Sequence, residues 1–454
     1  MARRVRIGNG QGFWGDSPDA ALELLRGGPL DYLGLDYLAE TTLSIMMKQR
    51  LRDGRSGYAE DFPVFMGRAH DLLASGGVRV ITNAGGLNPQ ACREDVVRRV
   101  VQAGGRAPVV GVVEGDDIFP ILDEVLAAGH ELRHMETGQP LATIRSRVLS
   151  ANAYIGARPV VSALAEGAEV VLAGRITDTA LALAPLVHEF GWSWQDWNLL
   201  AAGTVAGHVI ECGAQCTGGN YTRWWEVPDL WNVGYPVVEC RGAGEFVVTK
   251  QPGTGGLVST ATVAEQLVYE MGDPESYITP DCTADFTSAH LEQEDHNRVR
   301  VSGVRGGPPT PMLKVSISYA DGFKAVSQLV VAGPRAVDKA NLAAEIVWKR
   351  LARAGVRFPE DARVQEILGA GACAPGVGPS PPDPPEVVLR LGVRGEDREA
   401  VARFGMELAP LVTAGPPGVT GFAGGRPKPR EVVSYWPALV ARDVVESRLR
   451  ISVA

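Results

Sequence analysis

The sequence predicts an α/β protein whose N-terminal half is a mostly parallel sheet with flanking helices. Three observations carry that prediction. Short apolar runs rich in Val, Ile and Leu recur along residues 1–235, as strands covered on both faces require. Helix-start devices sit between the runs, Ser17-Pro18 and Asn88-Pro89, with Gly27-Gly28 and Gly104-Gly105 as stops. Strands that alternate with helices in this way pair in parallel.

Taken in order, the strand candidates are Val5–Gly8, Tyr32–Asp36, Val78–Thr82, Val109–Val113 and Glu169–Gly174. An open sheet is preferred to a closed barrel. From residue 236 the style changes. Val237–Val248, Met312–Tyr319 and Phe323–Val331 read as longer strands, accompanied by helices over Thr262–Met271 and Val337–Ala354. Residues 236–370 therefore read as an α+β domain. Residues 371–385 hold the Pro-rich CAPGVGPSPPDPP, a linker or surface strap. Residues 386–454 form a small strand–helix–strand unit from Glu386–Val393, Glu396–Leu411 and Val432–Val440.

At 454 residues the chain exceeds a single core, so two or three domains are expected. With 45% hydrophobic and 21% charged residues the composition is that of an ordinary globular protein. A net charge of −9 argues against a nucleic-acid partner. No secretory signal is visible, and no apolar run reaches the length of a membrane span. Six scattered cysteines read as reduced thiols. A cytoplasmic homo-oligomer acting on a small molecule is the expectation, the oligomer on prevalence alone.

Several motifs invite specific chemistry. Gly10-Gln11-Gly12-Phe13-Trp14-Gly15 spells the dinucleotide fingerprint, but there the helix should begin inside the motif. Here its start falls later, at Ser17-Pro18, so a tight loop presenting Asn9 and Asp16 is the better reading. His130-Glu131-Leu132-Arg133-His134 matches a zinc-protease motif without its helix, and reads as a solvated turn. His208, Glu211, Cys212 and Cys216 form a weak candidate for a metal site or a thiolate nucleophile. Six of the nine tryptophans lie between Trp192 and Trp231, suiting a ligand wall, a subunit contact or a domain seam. Lys250 opens a Gly-rich turn ahead of Thr262-x-x-Glu265, a capping-box pattern. The turn offers a phosphate cradle such as CoA would use, and it lacks the order of a Walker loop.

The strongest signal is collective. Predicted strands end in Asn9, Asp36 with Glu40, Asn83, Glu114 with Asp116 and Asp117, and Arg175 with Asp178. Ligands of open α/β sheets bind at that edge. Crowded carboxylates raise one another's proton affinity, which tunes acid/base pairs. Asp36, Glu114 and Asp178 are thus the acid/base candidates, Arg175 and Asn83 the oxygen binders. Asn9 and Lys250 join them as substrate contacts, with Gly10 and Gly12 as close-approach backbone. The bland readings are helix capping for Asp178 and solvation for Asp116 or Asp117.

Long stretches also carry a resemblance. GNGQGFWGDSPDAALELL, YLGLDYLAETTLSIMMKQR, ITNAGGLNP and NAYIGARPVVSAL…VVLAGRITDTALALAPL resemble the acyclic terpene utilisation (AtuA-type) family, from about Arg4 to about Arg350. The resemblance implies company with enzymes that degrade branched terpenoid acids as CoA thioesters. It brings no assigned catalytic residue. Residues and resemblance together suggest hydration, dehydration or lyase-type chemistry on a branched acyl-CoA or related acid, with the CoA thioester as a substrate moiety and no certain cofactor. The alternatives are a non-catalytic acyl-CoA-binding or scaffolding subunit for a carboxylase or hydratase partner, and a metal-dependent enzyme built on His208–Cys216.

Overall fold

Ten strands join in one sheet in the computed structural model, which describes residues 3–39, 42–377, 383–422 and 424–454. They are β1 (Arg4–Asn9), β2 (Tyr32–Leu35), β3 (Arg79–Thr82), β4 (Val110–Glu114), β5 (Val170–Ala173), β6 (Pro236–Arg241), β7 (Phe246–Lys250), β8 (His290–Asp295), β9 (Arg298–Ser302) and β10 (Arg450–Val453). Their spatial order is β8-β9-β7-β6-β1-β2-β3-β5-β4-β10. Pairings β1·β2, β2·β3, β3·β5 and β5·β4 are parallel, so these five strands send their carboxyl ends to one edge. The pairings that extend the sheet on both sides are antiparallel, and the sheet is mixed. It is open, with β8 and β10 at its two ends.

The described chain forms two compact units, Met1–Ser318 with Tyr435–Ala454, and Tyr319–Ser434. The change of style at residue 236 does not end the first sheet, because β6 pairs with β1 over Gly8↔Val237 to Arg4↔Arg241. In the first unit the helices flanking the parallel strands are α1 (Ala20–Arg26), α2 (Thr42–Arg52), α3 (Asp61–Gly76), α4 (Pro89–Gln102), α5 (Arg158–Ala165), α6 (Ala180–Phe190) and α7 (Trp197–Glu211). The core packs Leu33, Leu35, Val80 and Leu172 of the strands with Phe62 and Met66 of α3 and Val96 of α4. In the second unit Leu329, Leu389 and Leu391 from strands pack with Val347, Leu351 and Phe404 from helices. Among the described residues no helix is long and apolar enough to cross a membrane.

Several boundaries move from their sequence positions. The helix expected at Ser17-Pro18 starts at Ala20, and Asp19 at its N-cap makes no side-chain cap. Asp16 is drawn away instead, accepting from Gly12 N and Ser17 N and closing the glycine loop. Val237–Val248 is a hairpin of β6 and β7 rather than one strand, with Gly244 at φ +86° in its turn. The two strands expected over Met312–Tyr319 and Phe323–Val331 are one, Met312–Ala332. The capping box belongs to Ser259 and Thr262 rather than Thr262 and Glu265, and its helix, α8, is Thr260–Leu267. Glu265 accepts from Thr222 N instead (3.0 Å). Residues 378–382 of the Pro-rich segment, and Glu40, lie outside the described residues.

Candidate functional site

The parallel strands place polar residues side by side at their carboxyl edge. Asn9 ends β1, Asp36 follows β2, Asn83 follows β3, and Arg175 stands two residues beyond β5. The loops are stitched together there: Gly10 N donates to Gly34 O (3.0 Å) and Asp36 N to Gln11 O (2.9 Å). Asp36 is buried. Its Oδ1 accepts from Asn83 Nδ2 (2.7 Å) and Leu38 N (3.0 Å), and Asn83 Oδ1 accepts from Tyr37 N (2.7 Å). Burial, then the nearby charge of Asp178, pushes the Asp36 carboxyl well above the usual carboxylate range, against the pull of Arg175 and Asn83.

Arg175 is the hub, only 2% exposed. Its Nη1 donates to Leu38 O (2.6 Å) and Asp178 Oδ1 (2.8 Å), and its Nη2 reaches Asp178 Oδ2 at 3.3 Å. Its Cζ sits 4.1 Å from the centre of the Tyr154 ring, a cation–π geometry. Burial opposes the charge, but Asp178, Tyr154 and Asp36 together hold the guanidinium charged. Its Nε is buried without a partner among the described residues. Behind it, Arg175 N donates to Asp116 Oδ2 (2.8 Å), which also accepts from Asn152 Nδ2 (2.9 Å). Asp116 is therefore a buried acid and not a solvated one; burial raises it to about 6.

A second set joins this network across the sheet edge. Asn9 Nδ2 donates to Ile210 O (2.6 Å) and Glu211 O (2.9 Å), tying β1 to the end of α7. Glu211 Oε1 lies 2.9 Å from His208 Nδ1, and His208 Nε2 lies 3.0 Å from Gln266 O. Burial works against the His208 charge, but Glu211 and Gln266 prevail and raise its proton affinity. Burial raises Glu211 too, against the pull of His208, with Asp178 adding to the rise. A cavity of about 10 Å³ separates this pair from the first set, lined by Asn9, Asp178 and Glu211 with Ile7, Leu181 and Ile210. That is room for one water. Asn9 Oδ1 and Glu211 Oε2 are both buried without a partner among the described residues.

The structure thus brings Asn9, Asp36, Asn83, Arg175 and Asp178 into one neighbourhood and adds Glu211 with His208. It leaves others apart. Glu114 accepts from Gln90 Nε2 (2.9 Å) and sits opposite Arg450 of β10. Lys250 donates to Thr254 O (2.7 Å), and burial lowers its proton affinity. Gly10 and Gly12 do approach closely, but to the chain itself. A Cβ would meet Ala21 Cβ at 2.6 Å from Gly10 and the Cys212 carbonyl carbon at 2.8 Å from Gly12.

The thiols and the metal reading separate as well. Burial, then the charge of Glu211, pushes the Cys212 thiol up to about 12, and burial raises Cys216, so neither is an activated nucleophile. His208 uses both ring nitrogens inside the protein, and the described residues contain no group of three or more His, Cys, Asp or Glu placed to hold a metal. His130 to His134 has no helix, and Leu132 within it takes φ +46°.

Residue order alone undervalued Asp116 and Tyr154. Asp116 follows Gly115 directly after β4, a signal of the same kind as Asp36 after β2. Tyr154 reaches Arg175 from a different strand segment, Val148–Ala153, and nothing in spacing announces that contact.

No curated protein and no solved structure matches this chain. The model of the acyclic terpene utilisation family, AtuA, matches residues 5–451. Covering nearly the whole sequence, that match places the chain in the acyclic terpene utilisation (AtuA) family.

Proposed function

We propose that the chain is an enzyme of branched-acid or terpenoid catabolism that acts on a branched acyl-CoA or related carboxylic acid by acid/base chemistry. Family membership supports the pathway. One observation carries the chemistry: a buried guanidinium, Arg175, is flanked by Asp178, whose side chain is 34% exposed, and by Asp36, whose proton affinity burial raises. Nη1 and Nη2 are held by Leu38 O and Asp178, and Nε is the donor left for a carboxylate or thioester oxygen. Asp178, the exposed partner, is the group able to exchange a proton with substrate. Asp36, enclosed and held by Asn83, supplies the paired acid. The one-water cavity beside Asp178 and Glu211 suits addition or removal of water next to a carbonyl. A cytoplasmic homo-oligomer is part of this reading.

The test is turnover. The purified chain is incubated with branched enoyl- and hydroxyacyl-CoA thioesters, and gain or loss of water is followed by mass spectrometry. Asp178→Asn is expected to lower turnover by about 10² to 10⁴, and Arg175→Ala to do so at least as severely. Unchanged turnover in both variants would place the chemistry elsewhere.

A scaffolding reading has its own support. Trp224, Trp225 and Trp231 are 63%, 65% and 86% exposed, far more than aromatic rings usually are. Light scattering on the chain with candidate carboxylase or hydratase subunits checks it: a stable complex that disappears with Trp225→Ala and Trp231→Ala supports a contact surface, and turnover by the chain alone supports a catalyst.

A further inference from the structure

The first unit holds a second, larger cavity, of about 220 Å³, which shares no lining residue with the cavity at the strand edge. Its walls are aliphatic, with Ile155, Leu313 and Leu449 beside two prolines, and four charged residues stand around them. Three of those charges are already used inside the protein. Arg442 donates through Nη1 to Glu446 Oε1 (2.8 Å) and through Nη2 to Thr310 O (3.0 Å). Asp281 accepts from Ala157 N on both oxygens, at 3.0 and 2.9 Å.

Arg158 differs. Among the described residues its guanidinium makes no hydrogen bond and no ion pair, yet its Cζ lies 4.4 Å from the centre of the Trp194 ring. The ring holds the head in place while leaving the in-plane N–H donors unspent. A planar fork of unspent donors at the mouth of an aliphatic cavity matches a ligand with one carboxylate and a hydrocarbon body. The volume sets the size. Drug-sized ligands take pockets of about 300 Å³ upward, so this one suits roughly ten non-hydrogen atoms and excludes the body of CoA.

We infer that this cavity is a binding site for a small free aliphatic carboxylic acid, its carboxylate on Arg158 and its chain against Ile155, Leu313 and Leu449. The inference stands apart from the proposed reaction at Asp178.

Calorimetric titration of the full chain with hexanoate tests it, with hexanamide as the uncharged control. Saturable binding of hexanoate is expected, with hexanamide at least tenfold weaker. Arg158→Met, an exposed position whose fold is checked by thermal unfolding, is expected to weaken hexanoate at least tenfold. Leu313→Phe, which fills the cavity with another apolar side chain, is expected to weaken both ligands. Asp178→Asn is expected to leave binding unchanged. Absent saturation, equal binding of the amide, or indifference to Arg158→Met would overturn the inference. So would any change of hexanoate binding in Asp178→Asn, because replacing the acid that pairs with Arg175 would alter a carboxylate held at the strand-edge site.

Discussion

Two buried aspartates in the first unit share one device. Asp116 fills the space a Cβ would take at Gly174, 2.4 Å from Oδ1, and Asp281 does the same at Gly156, again 2.4 Å from Oδ1. Each glycine lets a carboxylate reach a backbone N–H that no larger residue would leave open, at Arg175 and at Ala157. Burial raises both acids to about 6. The folded chain then binds the Asp116 proton more tightly than the unfolded chain, where aspartate titrates near 3.8. Stability from this group is therefore greatest in acid, falls as pH rises between those values, and is level above about 6. Asp116→Asn removes that loss, because the neutral amide can still accept from Arg175 N. Relative to the parent, the variant should gain up to about 3 kcal/mol on going from about pH 4 to about pH 7.5. Urea unfolding at the two pH values measures it, and an equal difference at both would contradict the assignment. At this scale Asp36, Asn83, Arg175 and Asp178 were legible, since each follows a short apolar run. The burial of Asp116 was not, because an acid beside a second acid, Asp117, reads equally well as solvent-facing.

Helix ends show how far local chemistry reaches. Asn88-Pro89 starts α4 as its residues predict, with the Asn88 side chain accepting from Ala91 N (3.4 Å). The start of α8 lies ahead of its apparent signal because Thr262 occupies the third helical position and not the cap. Ser259 Oγ accepts from Thr262 N (3.2 Å), and Thr262 Oγ1 accepts from Ser259 N (3.0 Å). Ser259→Ala should cost about 1 kcal/mol. Hydrogen exchange in Thr260–Leu267 is the readout, and unchanged protection there would count against the cap. A Ser and a Thr are both good caps, so only the backbone could choose between them. The hairpin of β6 and β7 was hidden for a related reason: its turn holds just Gly242 to Glu245 between two apolar runs of the same period.

At the scale of the molecule, each unit carries its own core. Phe404 in the second unit is fully buried and stacks on Trp348, centroids 6.1 Å apart. Phe404→Ala should cost about 3–5 kcal/mol, read as faster hydrogen exchange in the strands Arg363–Leu368 and Glu386–Gly395. Protection unchanged in those strands would show that this core does not carry the unit's stability. In the first unit the sheet gathers segments from the whole chain. Its parallel centre is drawn from residues 4–173, while β6 arrives next to β1 and β10 next to β4 from far along the sequence.

The sequence by itself determined the α/β character, the short apolar strands, the polar residue at the end of each, and membership of a family. The first three rest on period, propensity and local order, which neighbours in the chain impose on one another; family membership rests on the likeness of long stretches of sequence. The tertiary structure alone decided which strand ends meet. Asn9 meets Ile210 and Glu211 across about two hundred residues, Arg175 meets Tyr154 from another segment, and Glu114 is drawn off to Gln90. Such contacts depend on sheet order and helix packing, which minimise exposed apolar surface over the whole chain, and no local pattern encodes that minimum.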